Sequence, residues 1–130
     1  MVYETNITKV RYYETDKMGI VHHSNYLKFF ELARIEWFEK LKMPYEKIVK
    51  NNNILPVYNC DLKFLKPLVF GDSFYIKVEC IKEPTSTIEF HYEIFNQNNI
   101  KTTEGYTILA FLDSMSMKPL RCPSFIKKLF

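Results

Sequence analysis

One segment limits the fold more than any other. Between residues 24 and 41, Tyr26, Phe30, Ala33, Trp37 and Leu41 recur at steps of four, three, four and four. Leu27, Leu32, Ile35 and Phe38 widen the apolar arc beyond the stripe of an ordinary surface helix. Such a helix has to be enclosed on most sides. Lys28, Glu31, Glu36, Glu39 and Lys40 leave one narrower polar side, where Glu36 and Lys40 stand at the favourable i, i+4 spacing. Ser24 or Asn25 is the expected N-cap, because either side chain can accept a first-turn amide. The pattern ends before Pro44, since the residue ahead of a proline is pushed out of helical geometry.

Everything else long enough to pack on that helix reads as strand. Residues 3–14 mix β-branched, aromatic and charged side chains without Pro or Gly and read as one strand. Residues 15–23, with Asp16, Gly19, His22 and His23, form the loop into the helix. A short helix is expected at Tyr45–Lys50, then a loop over Asn51, Asn52 and Asn53. Further strands follow over residues 54–64, 73–82, 87–95 and 101–112, separated by Gly71-Asp72, the Pro84 region and the run from Asn96 to Asn99. The last two form a hairpin. Ile88, Phe90, Tyr92 and Ile94 alternate with Glu89, His91 and Glu93, so one face of that strand is buried and the other is partly wet. The tail, residues 114–130, adds a short strand or helix. The economical arrangement is α+β: a long central helix wrapped by a curved, mostly antiparallel sheet of five to six strands.

A chain of 130 residues suits one domain, 1–130, and leaves no room for a second. Aromatic residues make up 16% of it, more apolar surface than one small core can cover, which favours an oligomer. Lysines and arginines total 18 against 15 acids, a net charge of +3, with both signs interspersed. Nothing in that balance calls for nucleic acid. The mild excess, with a pI near 8.7, suits an anionic ligand such as a phosphate-bearing one. Cys60, Cys80 and Cys122 are odd in number and lack a CxxC pair, which fits reduced thiols in a cytoplasmic protein. The opening residues are charged and lack an apolar signal-peptide core, and the longest clean apolar run, residues 106–112, is far short of a membrane span.

Chemistry is expected where the loop meets the helix. Asp16 lies seven residues before His23, and a helix start offers unpaired N–H groups that can polarise a carbonyl. A loop aspartate also commonly caps a turn, and spacing alone does not separate the two roles. His22 and His23 are adjacent, so their side chains diverge and do not share a metal; with no second pair at ligand spacing, no metal site is expected. Each histidine serves either substrate positioning and proton traffic or plain packing. Serine-hydrolase, glycine-rich dinucleotide and phosphate-loop motifs are absent from the sequence.

The run RYYETDKMGIVHHSNYLKFFELARIEWF resembles the signature of the 4-hydroxybenzoyl-CoA thioesterase family, in particular its YbgC-like acyl-CoA thioesterase branch. The residues carrying the likeness are Tyr13, Thr15, Asp16, Gly19, Val21, His23, Asn25, Tyr26 and the Phe-Glu-x-Ala-Arg of Phe30 to Arg34. Phe64-Leu65-Lys66-Pro67-Leu68 with Gly71-Asp72 resembles the family's second block, and Pro119 and Pro123 sit where its ending carries prolines. Lys17-Met18 and His22 depart from the family pattern, where small, proline or aromatic residues are common.

The resemblance implies the hot-dog fold, cytoplasmic homodimers or homotetramers with acyl-CoA sites between subunits, and hydrolysis to free acid and CoA. No cofactor is implied, coenzyme A being part of the substrate. It further implies Asp16 as catalytic carboxylate, either nucleophile or general base toward water. His23 would polarise the thioester carbonyl through its backbone N–H, while Tyr13, His22, Asn25 and Tyr26 would contact substrate. The thiolate, with a thiol pKa of about 8.5, needs little acid help to leave. Three alternatives stay open: an acyl-carrier-protein thioesterase, a dehydratase, or a non-catalytic acyl-CoA-binding module or accessory partner of envelope or lipid-synthesis proteins. Acyl-chain length is not readable from the residues.

Overall fold

The structure, a computed structural model, describes residues 2–130. Its central element is α1 (Asn25–Lys40), which lays Tyr26, Phe29, Phe30, Ala33, Arg34, Trp37 and Phe38 against the sheet. The strands are β1 (Val2–Glu4), β2 (Thr8–Lys9), β3 (Asn53–Ile54), β4 (Val57–Phe64), β5 (Ser73–Cys80), β6 (Thr87–Asn96), β7 (Lys101–Ala110) and β8 (Leu112–Asp113). Two short helices complete the chain, α2 (Tyr45–Lys50) and α3 (Ser124–Lys127). Six strands form one antiparallel sheet in the order β1-β5-β6-β7-β4, with β2 also on β5, while β3 and β8 pair separately. A long helix against a curved antiparallel sheet is the hot-dog arrangement expected from the sequence. Among the described residues, no helix is long and apolar enough to cross a membrane.

Strict alternation builds the inner face. Phe74, Ile76, Val78 and Cys80 of β5 and Ile88, Phe90, Tyr92 and Ile94 of β6 are buried, and their neighbours in sequence face outward. Phe30 stacks on Tyr92 with ring centroids 4.2 Å apart and planes 12° apart. Arg34 is also buried; its guanidinium donates to the Tyr92 hydroxyl, which shares a 2.6 Å hydrogen bond with Thr107.

Five expectations need correction. The stretch 3–14 is not one strand. Thr8 is four positions beyond Glu4, but their partners Lys77 and Phe74 are only three positions apart, so one residue bulges out. Thr5 fills the gap, donating its N–H to Ile76 O and accepting the Ile76 N–H on Oγ1, both at 2.9 Å. The stretch then closes into a 3-10 turn at Tyr12–Glu14, because the Glu14 carboxylate accepts the Arg11 N–H at 2.7 Å and competes with strand pairing. Residues 54–64 likewise divide into β3 and β4 at Pro56, which has no N–H to give a ladder; residues 101–112 divide into β7 and β8.

Neither expected N-cap side chain caps α1. Ser24 Oγ lies 2.8 Å from His22 Nδ1, and Asn25 Nδ2 donates to Glu14 O at 2.8 Å. Nor does Glu36 pair with Lys40: it accepts the Tyr3 hydroxyl and the Asn6 N–H, tying the N-terminal strand to the helix.

The outer face of the sheet carries charges in pairs. Lys82 reaches Glu89 at 2.8 Å, Lys101 reaches both Glu93 and Glu104 at 3.2 Å, and His91 Nε2 lies 3.0 Å from Glu104. The Lys82 ammonium, and after it the Tyr106 hydroxyl, hold the Glu89 carboxyl below the usual carboxylate range. His91 first, then Lys101, does the same for Glu104. A carboxyl whose folded pKa is depressed stabilises the fold above its unfolded value, and that contribution is lost as pH falls through the lower folded value. Melting temperature is therefore expected to fall below pH about 4. The Glu89→Gln variant should lose less between pH 5 and 3 than the parent in a thermal-melt series; identical acid arms would contradict the assignment.

Candidate active site

The loop between the 3-10 turn and α1 is shaped by its own backbone. Asp16 N donates to Ile20 O at 2.8 Å, and Gly19 N to Asp16 O at 3.0 Å. Gly19 has φ +81, a conformation that suits only glycine well. A bridge joins Thr15 to Val21, and Val21 N donates to Leu68 O, fastening this loop to the segment that follows β4. The two blocks that carried the family likeness are thus in contact.

Between them opens a cleft of about 370 Å³. Asp16, His23 and Tyr26 line it, with Met18, Ile20 and Val21 on one side and Phe64, Leu65, Lys66 and Pro67 on the other. Asp16 is half-buried. Its Oδ1 accepts the Met18 N–H at 2.8 Å, which fixes the carboxylate in the loop; among the described residues Oδ2 takes no hydrogen bond. The turn-capping role and the position in a cleft therefore coexist, one on each oxygen.

His23 enters the cleft at the start of α1. His22 O accepts the Asn25 N–H at 2.9 Å, which makes residues 22–25 a turn with His23 second and Ser24 third, Ser24 at φ −64, ψ −24. The amide of the second residue in such a turn is not used by the turn. Among the described residues no acceptor takes the His23 N–H. Tyr26 forms the buried floor, its ring edge-on to Phe64 at 5.1 Å. Burial raises the Tyr26 pKa, partly offset by hydrogen bonds with Thr103 and the Leu68 backbone, so the phenol stays neutral.

Of the six residues singled out by the sequence, Asp16, His23 and Tyr26 converge. The other three do not line the cleft of this chain. Tyr13 is 72% exposed on the 3-10 turn. Contrary to the expectation that adjacent side chains diverge, the His22 ring lies on that of His23, 4.2 Å between centroids, and its Nδ1 is hydrogen-bonded with Ser24. Asn25 is a fastener to Glu14 O. The missed wall residues, from Phe64 to Pro67, belong to the second family block, a signal that was visible in the sequence but carried no assigned role. Burial pushes the Cys80 and Cys122 thiols up to about 11, so neither supplies a thiolate near neutral pH.

Comparison with known proteins bears on the fold and the family. Residues 10–130 match the family model described as the thioesterase-like superfamily. The chain is 25% identical over 118 residues to the acyl-CoA thioester hydrolase YbgC of Escherichia coli, covering 91% of this chain and 88% of that protein. It is 31% identical over 125 residues to the chloroplastic acyl-acyl carrier protein thioesterase ATL3 of Arabidopsis thaliana, covering 94% of this chain but 64% of that one. The solved DHNA-CoA thioesterase of Staphylococcus aureus superposes with TM-score 0.89 at 32% identity, over 92% of this chain and 80% of that one. The chain belongs to the thioesterase-like superfamily, and its class is that of the thioester hydrolases.

Proposed function

We propose that this protein hydrolyses acyl-CoA thioesters to the free acid and CoA. The observation that carries the reading is that Asp16 and His23 line one apolar-walled cleft and that, among the described residues, one oxygen of the carboxylate and the His23 backbone N–H have no hydrogen-bond partner. The acyl group lies over Tyr26 and Phe64, and the thioester carbonyl oxygen accepts the His23 N–H. Asp16 Oδ2 then either attacks the carbonyl carbon or takes a proton from an attacking water. Charge that develops on the carbonyl oxygen meets a fixed donor at the helix start. Collapse of the tetrahedral species breaks the carbon–sulfur bond, and the CoA thiolate leaves without a dedicated acid. In the nucleophilic route the acyl group is then on Asp16 as a mixed anhydride, which water hydrolyses to the free acid and the restored carboxylate. Lys66, exposed at the cleft wall, is the cation placed to meet the anionic portion of CoA.

The oligomer follows from β4. Seven of its eight residues are exposed, including Val57, Tyr58 and Phe64, on a sheet edge with an unused ladder. Such an edge is ordinarily covered, and a second copy pairing along β4 covers it in a homodimer that can double to a tetramer. Tyr13 and His22, exposed and outside the lining of this chain's cleft, are then available to a neighbouring subunit's site. A cytoplasmic setting in lipid metabolism fits the three free cysteines and the CoA substrate.

The test is release of free thiol from a panel of aliphatic and aromatic acyl-CoAs, with the matching acyl-acyl carrier proteins alongside. Saturable release from acyl-CoA supports the reading, and release only from the carrier-protein thioesters moves the assignment to the second class, which the Arabidopsis relative favours. Two His23 variants test the amide. Pro fits the second position of the 22–25 turn and removes the N–H. His23→Pro should lower kcat by about 10²–10³-fold, whereas His23→Ala, which keeps the amide, should stay within about tenfold of the parent. Equal losses in the two would place the role in the ring.

A further inference from the structure

Five consecutive amides lead from the loop into α1, and they differ in what they bond. The His22 N–H donates to Glu14 O at 2.9 Å, the Asn25 N–H to His22 O at 2.9 Å and the Tyr26 N–H to His23 O at 3.4 Å. The Ser24 N–H goes instead to a side chain, His22 Nδ1, at 3.2 Å. Among the described residues, the His23 N–H alone of the five has no acceptor. A turn by itself does not make that selection. In a four-residue turn the amides of the second and third residues are both left over, so the bare backbone of residues 22–25 would present two neighbouring donors.

The His22 imidazole removes the second of them. A ring nitrogen that accepts a backbone N–H carries no proton, so Nδ1 is unprotonated and Nε2 holds the ring proton. The Ser24 hydroxyl, 2.8 Å from the same Nδ1, then donates to that lone pair as well. The His23 ring braces the imidazole, 4.2 Å away between centroids at an interplanar angle of 30°. Glu14 O fastens both ends of the turn, taking the His22 N–H and, at 2.8 Å, Asn25 Nδ2. Asn and Asp are favoured at the first position of such turns because their side chains accept the amide two residues on. His22 does the same with a ring nitrogen.

We propose that His22 is a positioning residue: by taking the Ser24 N–H on Nδ1 it fixes the turn into α1 so that the His23 N–H alone is presented to the thioester carbonyl. The proposal rests on the assignment of that amide to the carbonyl. His22 is exposed, so replacing it leaves the core untouched. His22→Ala should lower kcat for acyl-CoA about tenfold, as a displaced donor does, with KM within about twofold of the parent. His22→Asn, whose Oδ1 can accept the same Ser24 N–H, should return kcat to within about threefold of the parent. Nitrogen-15 NMR reads the geometry without substrate. The parent should show His22 protonated on Nε2, and exchange of the Ser24 amide should quicken in His22→Ala but not in His22→Asn. An active parent with His22 protonated on Nδ1, parental kcat in His22→Ala, an Asn variant as slow as the Ala one, or a loss carried by KM, the mark of a substrate contact, would each overturn the proposal alone. A parent with both NMR signatures and no thiol release would instead overturn the acyl-CoA reading, and the catalytic role of the turn with it.

Discussion

The Asp16→Asn variant should keep its melting temperature and lose acyl-CoA turnover by about 10²–10⁴-fold, the range over which a positioned carboxylate contributes to catalysis. The fold is spared because an asparagine Oδ1 can still accept the Met18 N–H that Asp16 now holds at 2.8 Å. Hydrolysis is not, because the amide that replaces Oδ2 is neither a nucleophile nor a base. The loss should appear in kcat with KM little changed, since the acyl contacts belong to Tyr26, Phe64 and Leu65. A variant that turns over normally would leave the cleft as a binding site alone.

The second large effect concerns stability. Gly105 lies on β7 opposite Tyr92 on one side and Leu62 on the other. A Cβ there would run into the ring of Phe30, which is itself fully buried and stacked on Tyr92. The enclosed, stacked ring would have to shift to admit it, so this glycine is required by close approach rather than by its backbone angles. Overpacking of this kind costs about 1–3 kcal/mol, which for a domain of this size lowers the melting temperature by about 5–10 °C. Gly105→Ala should show that drop in a thermal melt. Phe30→Leu in the same background should recover part of it, because the two changes share one contact. A Gly105→Ala chain that melts with the parent would refute this packing.

Gly105 also marks a limit on what the sequence could disclose. The helix and the four long strands are legible because their periodicity, 3.6 or 2, is imposed by the same burial that fixes the fold; Phe90 and Tyr92 alternate with Glu89 and His91 for that reason. The broken N-terminal strand was not legible. Residues 3–14 have strand composition, and it is side chains hydrogen-bonding main chain, Thr5 to Ile76 and Glu14 to Arg11, that bend them away from a continuous ladder. The capping expectation failed similarly, Ser24 and Asn25 being drawn into contacts with His22 and Glu14.

In the site, Asp16 stands out as a loop carboxylate before a helix start, but spacing leaves it between turn cap and catalyst, and its role, like that of His23, came with the family resemblance. Tyr26 came with the family signature. The opposite wall, Phe64 to Pro67, is forty residues away in the chain and reaches the loop through Val21 N–H to Leu68 O, a pairing that no local pattern announces. Tyr13 and His22 match the signature yet do not line this chain's cleft, which leaves them open to a site completed by a second subunit.

The most direct measurement is a crystal structure of the Asp16→Asn protein with a bound acyl-CoA, in which slow hydrolysis leaves the thioester intact. The carbonyl oxygen should lie within about 3 Å of the His23 backbone nitrogen, with the acyl group over Tyr26 and Phe64 and residue 16 beside the carbonyl carbon. A thioester bound elsewhere, or one whose carbonyl points away from the start of α1, would contradict the account.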